Sequence, residues 1–192
     1  MESDLGLIKR VIEGDKDAFE ELIVLYEKKV YNICFRMSGN REDALDLSQE
    51  VFIKVYRSVK SFKADSMFST WLYRVTMNVC VDYSRKTRSQ ARQISLYSQE
   101  GKGGIPIDIP DERFNPEEYA EKEDRARMVW NAINMLSPEH KRILILREIS
   151  GKSYVEIADI LEMEEGTVKS RISRARENMR RILSDSGNFI DR

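Results

Sequence analysis

Ser153-Tyr154-Val155-Glu156-Ile157-Ala158-Asp159-Ile160-Leu161 is followed by Glu162-Met163-Glu164-Glu165 and then by Gly166-Thr167-Val168-Lys169-Ser170-Arg171-Ile172-Ser173-Arg174-Ala175-Arg176. Ser153 and Glu156, three apart before an apolar run, form a capping-box pattern that opens a short helix to about Leu161. The next four residues read as a tight turn, and a longer helix follows from about Gly166 to Leu183. At about 100° per residue, Val168, Ile172, Ala175, Met179, Ile182 and Leu183 fall on one apolar stripe. Thr167, Lys169, Ser170, Arg171, Ser173, Arg174, Arg176 and Asn178 occupy the rest of the circumference. A short helix, a turn and a one-sidedly basic helix predict a helix-turn-helix whose last helix meets DNA. The major groove admits one helix, and such side chains reach base edges and phosphates. A merely solvated basic helix is the plainer reading; the capping box and the one-sided basicity favour DNA.

Working outward, the periodicity stays helical. Ser137-Pro138 starts a helix ending near Gly151, and Asn115-Pro116 starts another, with proline at the first helical position. Asp15 caps a helix from about Lys16 to Ser38, stopped by Gly39, whose apolar stripe is Phe19, Leu22, Ile23, Tyr26, Val30, Ile33 and Met37. Asn40 caps the next, from about Arg41 to Lys60, and a third runs from about Ser66 to Arg92. Residues 93–115 contain Gly101, Gly103, Gly104, Pro106 and Pro110 and no stripe, so they read as a linker. The predicted fold is all-α, with two small helical domains over 1–92 and 117–185. A flexible acidic linker over 93–116 joins them, the C-terminal domain contains the helix-turn-helix, and a tail covers 186–192.

The 192 residues are 34% charged and 41% hydrophobic, which suits two small cores better than one large one. The net charge is −1, but the charges are sorted. Residues 100–124 hold nine acids against three bases, residues 167–183 hold six bases against one acid, and residues 85–92 carry four bases and no acid. A polyanion responds to such local clusters and not to the net charge. No aliphatic run is longer than four residues, as in Ile143-Leu144-Ile145-Leu146, so membrane insertion is not expected. Residues 1–20 carry six acids and no apolar core of a signal peptide. Cys34 and Cys80 are far apart in sequence without CxxC spacing, which argues against a disulfide framework or a cysteine zinc site and points to a reducing cytoplasm.

Catalytic chemistry has little to work with. His140, the lone histidine, has no partner motif around it. Gly151-Lys152-Ser153 ends like a phosphate-binding loop, but the glycine that loop needs five residues earlier is replaced by Leu146. Gly151 therefore reads as a helix stop and Ser153 as a cap. No enzymatic activity, cofactor or metal is expected.

The Gly166–Arg176 segment resembles the recognition helix of the extracytoplasmic-function (ECF) group of bacterial sigma factors. Asp46-Leu47-Ser48-Gln49-Glu50-Val51-Phe52 resembles that family's core-polymerase-binding motif. Phe68-Ser69-Thr70-Trp71-Leu72-Tyr73-Arg74-Val75, followed by Asn78, Asp82 and Arg85, resembles its promoter-melting and −10-reading segment. The three motifs occur in family order.

The resemblance implies a sigma factor with core RNA polymerase and promoter DNA as partners and, as is usual in the family, an anti-sigma factor. It assigns core binding to Asp46, Gln49, Glu50 and Ile53, which share a helix face opposite Ala44, Val51, Phe52, Val55 and Val59. It assigns −10 recognition and melting to Phe62, Arg74, Asn78, Asp82, Arg85, Lys86 and Arg88, with the loop from Phe62 to Met67 helping to hold a flipped base. The −35 element falls to Thr167, Lys169, Ser170, Arg171, Ser173, Arg174 and Arg176. Two turn residues depart from the family pattern. Glu162 stands where a glycine with positive φ is common, and Glu164 stands where serine often caps the last helix. The rival readings are a helix-turn-helix regulator acting without polymerase, against which the Asp46–Phe52 motif argues, and a helical nucleotide-binding enzyme, against which the missing phosphate loop argues.

Overall fold

The computed structural model describes residues 3–64, 66–95 and 128–185. The acidic linker expected over 93–116 lies almost wholly outside the described residues, as do the Asn115-Pro116 helix start and the tail. Every regular element among the described residues is helical: α1 (Asp4–Glu13), α2 (Lys16–Ser38), α3 (Arg41–Ser58), α4 (Phe68–Ser95), α5 (128–135), α6 (Pro138–Leu144), α7 (Tyr154–Leu161) and α8 (Glu165–Asp185). A 3₁₀ turn follows α3 and a π-type turn (Ile145–Ile149) follows α6.

Local chemistry sets most boundaries. Asp15 Oδ1 accepts the backbone N–H groups of Asp17 and Ala18, and Gly39 ends α2 at φ 76°. Asn40 Oδ1 does the same for α3. Ser137 Oγ accepts from His140 N, with Pro138 opening α6. Gly151 adopts φ 64° just after the turn Ile145–Ile149 and stops it, as its position suggests. The capping box is present: Ser153 Oγ accepts from Glu156 N and Glu156 Oε2 accepts from Ser153 N, at 3.1 and 2.8 Å. Glu162 is left-handed, at φ 53° and ψ 52°, its N–H bonded to Ala158 O. α1 is an element not expected from the sequence, although Leu7, Ile8 and Val11 stand at helical spacing and are buried, between a Ser3 cap and Gly14 at φ 101°.

In the first domain α2 and α3 pack along each other and α4 lies across both. Leu22, Val30, Val51, Val55, Leu72, Met77 and Val79 are almost wholly buried there. Cys34 and Cys80, distant in sequence, meet in this core as free thiols with their sulfurs 3.9 Å apart. Donation to Cys34 together with burial holds the Cys80 thiol well above its ordinary range. In the second domain α6, α7 and α8 enclose Ile143, Ile145, Leu146, Ile157, Ile160, Val168 and Ile172.

The domains touch. Lys141, 7% exposed, sends its ammonium to Met37 O at 2.8 Å and Asn134 Oδ1 at 2.7 Å. Burial pushes its pKa down to about 8. Arg36 lies over the Trp130 ring, Lys152 over Tyr73, and Arg74 bonds Asp159 O at 2.7 Å and pairs with Glu162 at 3.0 Å.

The capping box yields a pH prediction. A hydrogen bond from Lys152 and another from the Ser153 N–H pull the Glu156 carboxyl down to about 2. Its stabilisation is therefore complete above the ordinary glutamate range near 4.5 and is lost as pH falls toward about 2. Ser153→Ala should cost about 1 kcal/mol at neutral pH. Glu156→Gln should lower the thermal midpoint at pH 7, with the gap to wild type closing between pH 4.5 and pH 2. A gap independent of pH would remove this role.

Candidate functional site

Three exposed surfaces carry the candidate residues. The first is a groove of about 1150 Å³ between α2 and α3. Phe19, Ile23 and Tyr31 of α2 and Phe52, Ile53 and Tyr56 of α3 form its apolar floor and walls, and Glu20, Glu27, Lys28, Gln49 and Arg57 lie along it. Ile53 is 49% exposed, and Leu45 and Tyr56 are similarly open. Phe19 and Tyr56 stack obliquely at 4.9 Å. Asp46 and Glu50 are exposed beside the groove on α3, with Glu50 paired to Lys54 at 2.9 Å. The structure thus brings Gln49 and Ile53 into an apolar cleft and leaves Asp46 and Glu50 outside its lining. Phe19 and Ile23 are a correction to the expected core stripe: both are only half-buried and face the groove. Ala18 and Cys34 take core positions on α2 as well.

The second surface is the outer side of α4. Asn78, Asp82, Arg85, Lys86 and Arg88 are exposed along it. Phe62 is a correction. Its ring is 8% exposed, set edge-on to Phe68 at 5.7 Å and tilted to Trp71 at 5.6 Å, so an inward-facing aromatic cluster claims it. The open apolar side chain of that loop is Met67, 64% exposed, three residues after Ala64 at φ 55°. Arg74 is not free for a ligand here: Asp159 and Glu162 of the second domain hold its terminal nitrogens, and its buried Nε has no partner. Tyr73 beside it is half-buried, and desolvation raises its phenol pKa.

The third surface is α8. Val168, Ile172 and Ala175 are buried as the stripe requires, while Lys169, Ser170, Ser173, Arg174 and Arg176 are exposed and Thr167 and Arg171 half-buried. Lys169 pairs with Glu165 at 2.7 Å, Arg171 approaches Glu139 at 3.6 Å, and Arg176 grips Glu148 through two nitrogens. Arg174 has no ion pair among the described residues. His140 is structural, its Nδ1 3.0 Å from the Asn178 amide. Lys152 of the loop-like Gly151-Lys152-Ser153 is committed to Glu156 at 2.8 Å. Among the described residues no group of acids, histidines and cysteines is placed to hold a metal, and no helix is long and apolar enough to cross a membrane.

Comparisons with known proteins agree with this layout. The family model for Sigma-70 region 2 matches residues 22–90, and that for Sigma-70 region 4 matches residues 126–179. The chain is 34% identical over 187 residues to the ECF RNA polymerase sigma factor SigW of Bacillus subtilis (strain 168), covering 93% of this chain and 95% of that one. It is 38% identical over 180 residues to the ECF RNA polymerase sigma-E factor of Escherichia coli (strain K12), covering 91% of each. Its fold is similar to CnrH, solved with the cytosolic domain of CnrY, at TM-score 0.64 and 18% identity over 96% of this chain and 99% of that one. It is likewise similar to the sigma factor RpoE of Bartonella quintana, solved with the anti-sigma factor NepR, at TM-score 0.62 and 24% identity over 91% and 98%. The chain therefore belongs to the ECF sigma factors of the sigma-70 family, transcription initiation factors that join core RNA polymerase and direct it to promoters.

Proposed function

We propose that the three surfaces divide the work of a sigma factor: the α2–α3 groove and its acidic rim dock on core polymerase, the outer side of α4 takes the −10 element, and α8 reads the −35 element. The domain limits that go with this reading are 1–92 and 117–185, joined by residues 93–116 and followed by the tail 186–192. The chain acts in the cytoplasm as a non-enzymatic subunit, and an anti-sigma protein is its third partner. The observation that carries the reading is the groove. Half-open Ile53, Leu45 and Tyr56 beside Asp46 and Glu50 give it the apolar centre and polar rim of a protein interface. No residue of α4 lines the groove, so it is separate from the surface read as the −10 contact.

The contacts between domains bear on how DNA is engaged. Elements named −35 and −10 stand about 25 base pairs apart, roughly 85 Å along B-form DNA. We read domains in direct contact as too close together to engage both elements at once. This arrangement is a closed form, and promoter binding requires Arg74 to leave Asp159 and Glu162.

Three outcomes are expected. Asp46→Lys combined with Glu50→Lys should weaken core binding by about 2–5 kcal/mol, read in a pull-down with purified core and with helicity intact by circular dichroism. Unchanged affinity would unseat the rim. Arg174→Ala should reduce −35-dependent transcription by about 1–3 kcal/mol of promoter discrimination, and Lys169→Ala by less, because Glu165 already neutralises Lys169. Equal activity of Arg174→Ala and wild type over a promoter library would reverse the orientation of α8. Glu162→Gly removes both a left-handed glutamate and the partner of Arg74. It should raise binding of single-stranded −10 DNA up to about fivefold, the scale of an exposed ion pair. A fall in that binding would show that the pair does not restrain Arg74.

A further inference from the structure

Where the exposed end of α4 passes α6, the two domains leave a cleft of about 470 Å³. Ser84, Arg85 and Arg88 line it from the first domain, and Ser137, Glu139 and Arg142 from the second. Three guanidiniums thus face one carboxylate. That carboxylate is shared, because Arg171 of α8 approaches Glu139 at 3.6 Å. Burial disfavours the charge on Arg142; Glu139 offsets this, while Arg171 and Arg85 add to it. The Nε of Arg142 is buried and has no hydrogen-bond partner. A buried cationic donor without an acceptor, amid like charges, is costly unless something from outside the chain completes it. The other cations at the domain contact have partners within the protein: Lys141 has two acceptors, and the terminal nitrogens of Arg74 are held by Asp159 and Glu162 although its Nε is also without a partner.

We propose that this cleft is a binding site for an oligophosphate anion, gripped by Arg85 and Arg88 from one domain and by Arg142 from the other. The planar guanidinium fork matches phosphate oxygens and binds them through paired hydrogen bonds. Ser137 can add a donor, since its Oγ already accepts from His140 N and its own hydroxyl proton is left over. Ser84 cannot, because its hydroxyl is given to Cys80 O. The volume exceeds that of a single phosphate and suits a diphosphate or a larger phosphorylated molecule. The same chemistry exists in a nucleic-acid backbone, but the cleft is built from both domains in contact, the arrangement that promoter binding must break. A free ligand seated here ties the domains together and occupies Arg85 and Arg88, which the promoter also needs. The inference rests on the closed geometry and does not depend on the polymerase-binding assignment.

The test is calorimetric titration of the full chain with inorganic pyrophosphate at fixed ionic strength, alongside a short single-stranded oligonucleotide. Wild type should bind pyrophosphate saturably at one site, and Arg142→Gln and Arg88→Gln should each weaken it at least about tenfold. Arg180→Gln, at an exposed position of α8 outside the cleft, should leave it unchanged. Arg88 is exposed, so that variant keeps the test decisive if Arg142→Gln misfolds. Pyrophosphate should also displace the oligonucleotide from wild type. Absence of saturable binding, equal weakening in all three variants, or an oligonucleotide that depends on Arg142 while pyrophosphate does not bind would each overturn the proposal.

Discussion

An ammonium group from the second domain closes the last turn of a helix in the first, and it is the most deeply buried polar link between them. The last carbonyls of a helix have no partner within the helix and carry its negative end. At the end of α2, Met37 O receives Lys141 Nζ, and Asn134 takes a second hydrogen of the same group. Burial costs this cation enough to pull its pKa to about 8, and the two acceptors offset that cost only when α5, α6 and α2 are together. Separating the domains returns the ammonium to water and bares the end of α2. Opening the contact therefore exchanges two protein acceptors for water.

The second point of closure uses backbone strain. Glu162 takes a left-handed conformation that puts its Cβ against the following carbonyl, a cost of about 1–2 kcal/mol that glycine would avoid. The same residue reaches Arg74, and the preceding turn offers Asp159 O to that guanidinium. The residue that departs from the family pattern at the turn of the helix-turn-helix is thus also the one that occupies a candidate DNA contact in the other domain. Turn geometry and domain closure are coupled through one side chain. Lys152, held in the capping box of the same short helix, lies over Tyr73 next to Arg74 and extends that coupling.

Surface charge on α8 also reads differently in three dimensions. Along the sequence its bases look alike. In the fold Arg176 is bound to Glu148, Arg171 leans toward Glu139 and Lys169 is held by Glu165, so Arg174 is the cation least committed to the protein itself. Exposure alone would not have separated Arg174 from Arg176, since both are open. The partner acids come from the segment around α6 and from the first turn of α8, and two of them are more than twenty residues distant in sequence.

Helix ends were legible in the sequence because the interactions that make them are local. Asp15, Asn40, Ser137 and Ser153 cap within three residues of themselves, and Gly39 and Gly151 stop where a left-handed residue is needed. The apolar stripe of α8 was legible for the same reason, since one helix repeats its own period. What residues 166–176 and the two N-terminal motifs resemble was enough to name the family. Only the tertiary structure decided which apolar residues are core and which are surface: Phe19 and Ile23 sit on the same stripe as Leu22 and Tyr26, yet α3 leaves them facing a groove. It also turned Phe62 inward against Phe68 and Trp71, joined Cys34 to Cys80, tied Arg74 to Glu162 and set Arg142 beside Arg85 and Arg88. Each of these depends on residues from different helices meeting at contact distance, and a period within one helix carries no information about which neighbour will cover its edges.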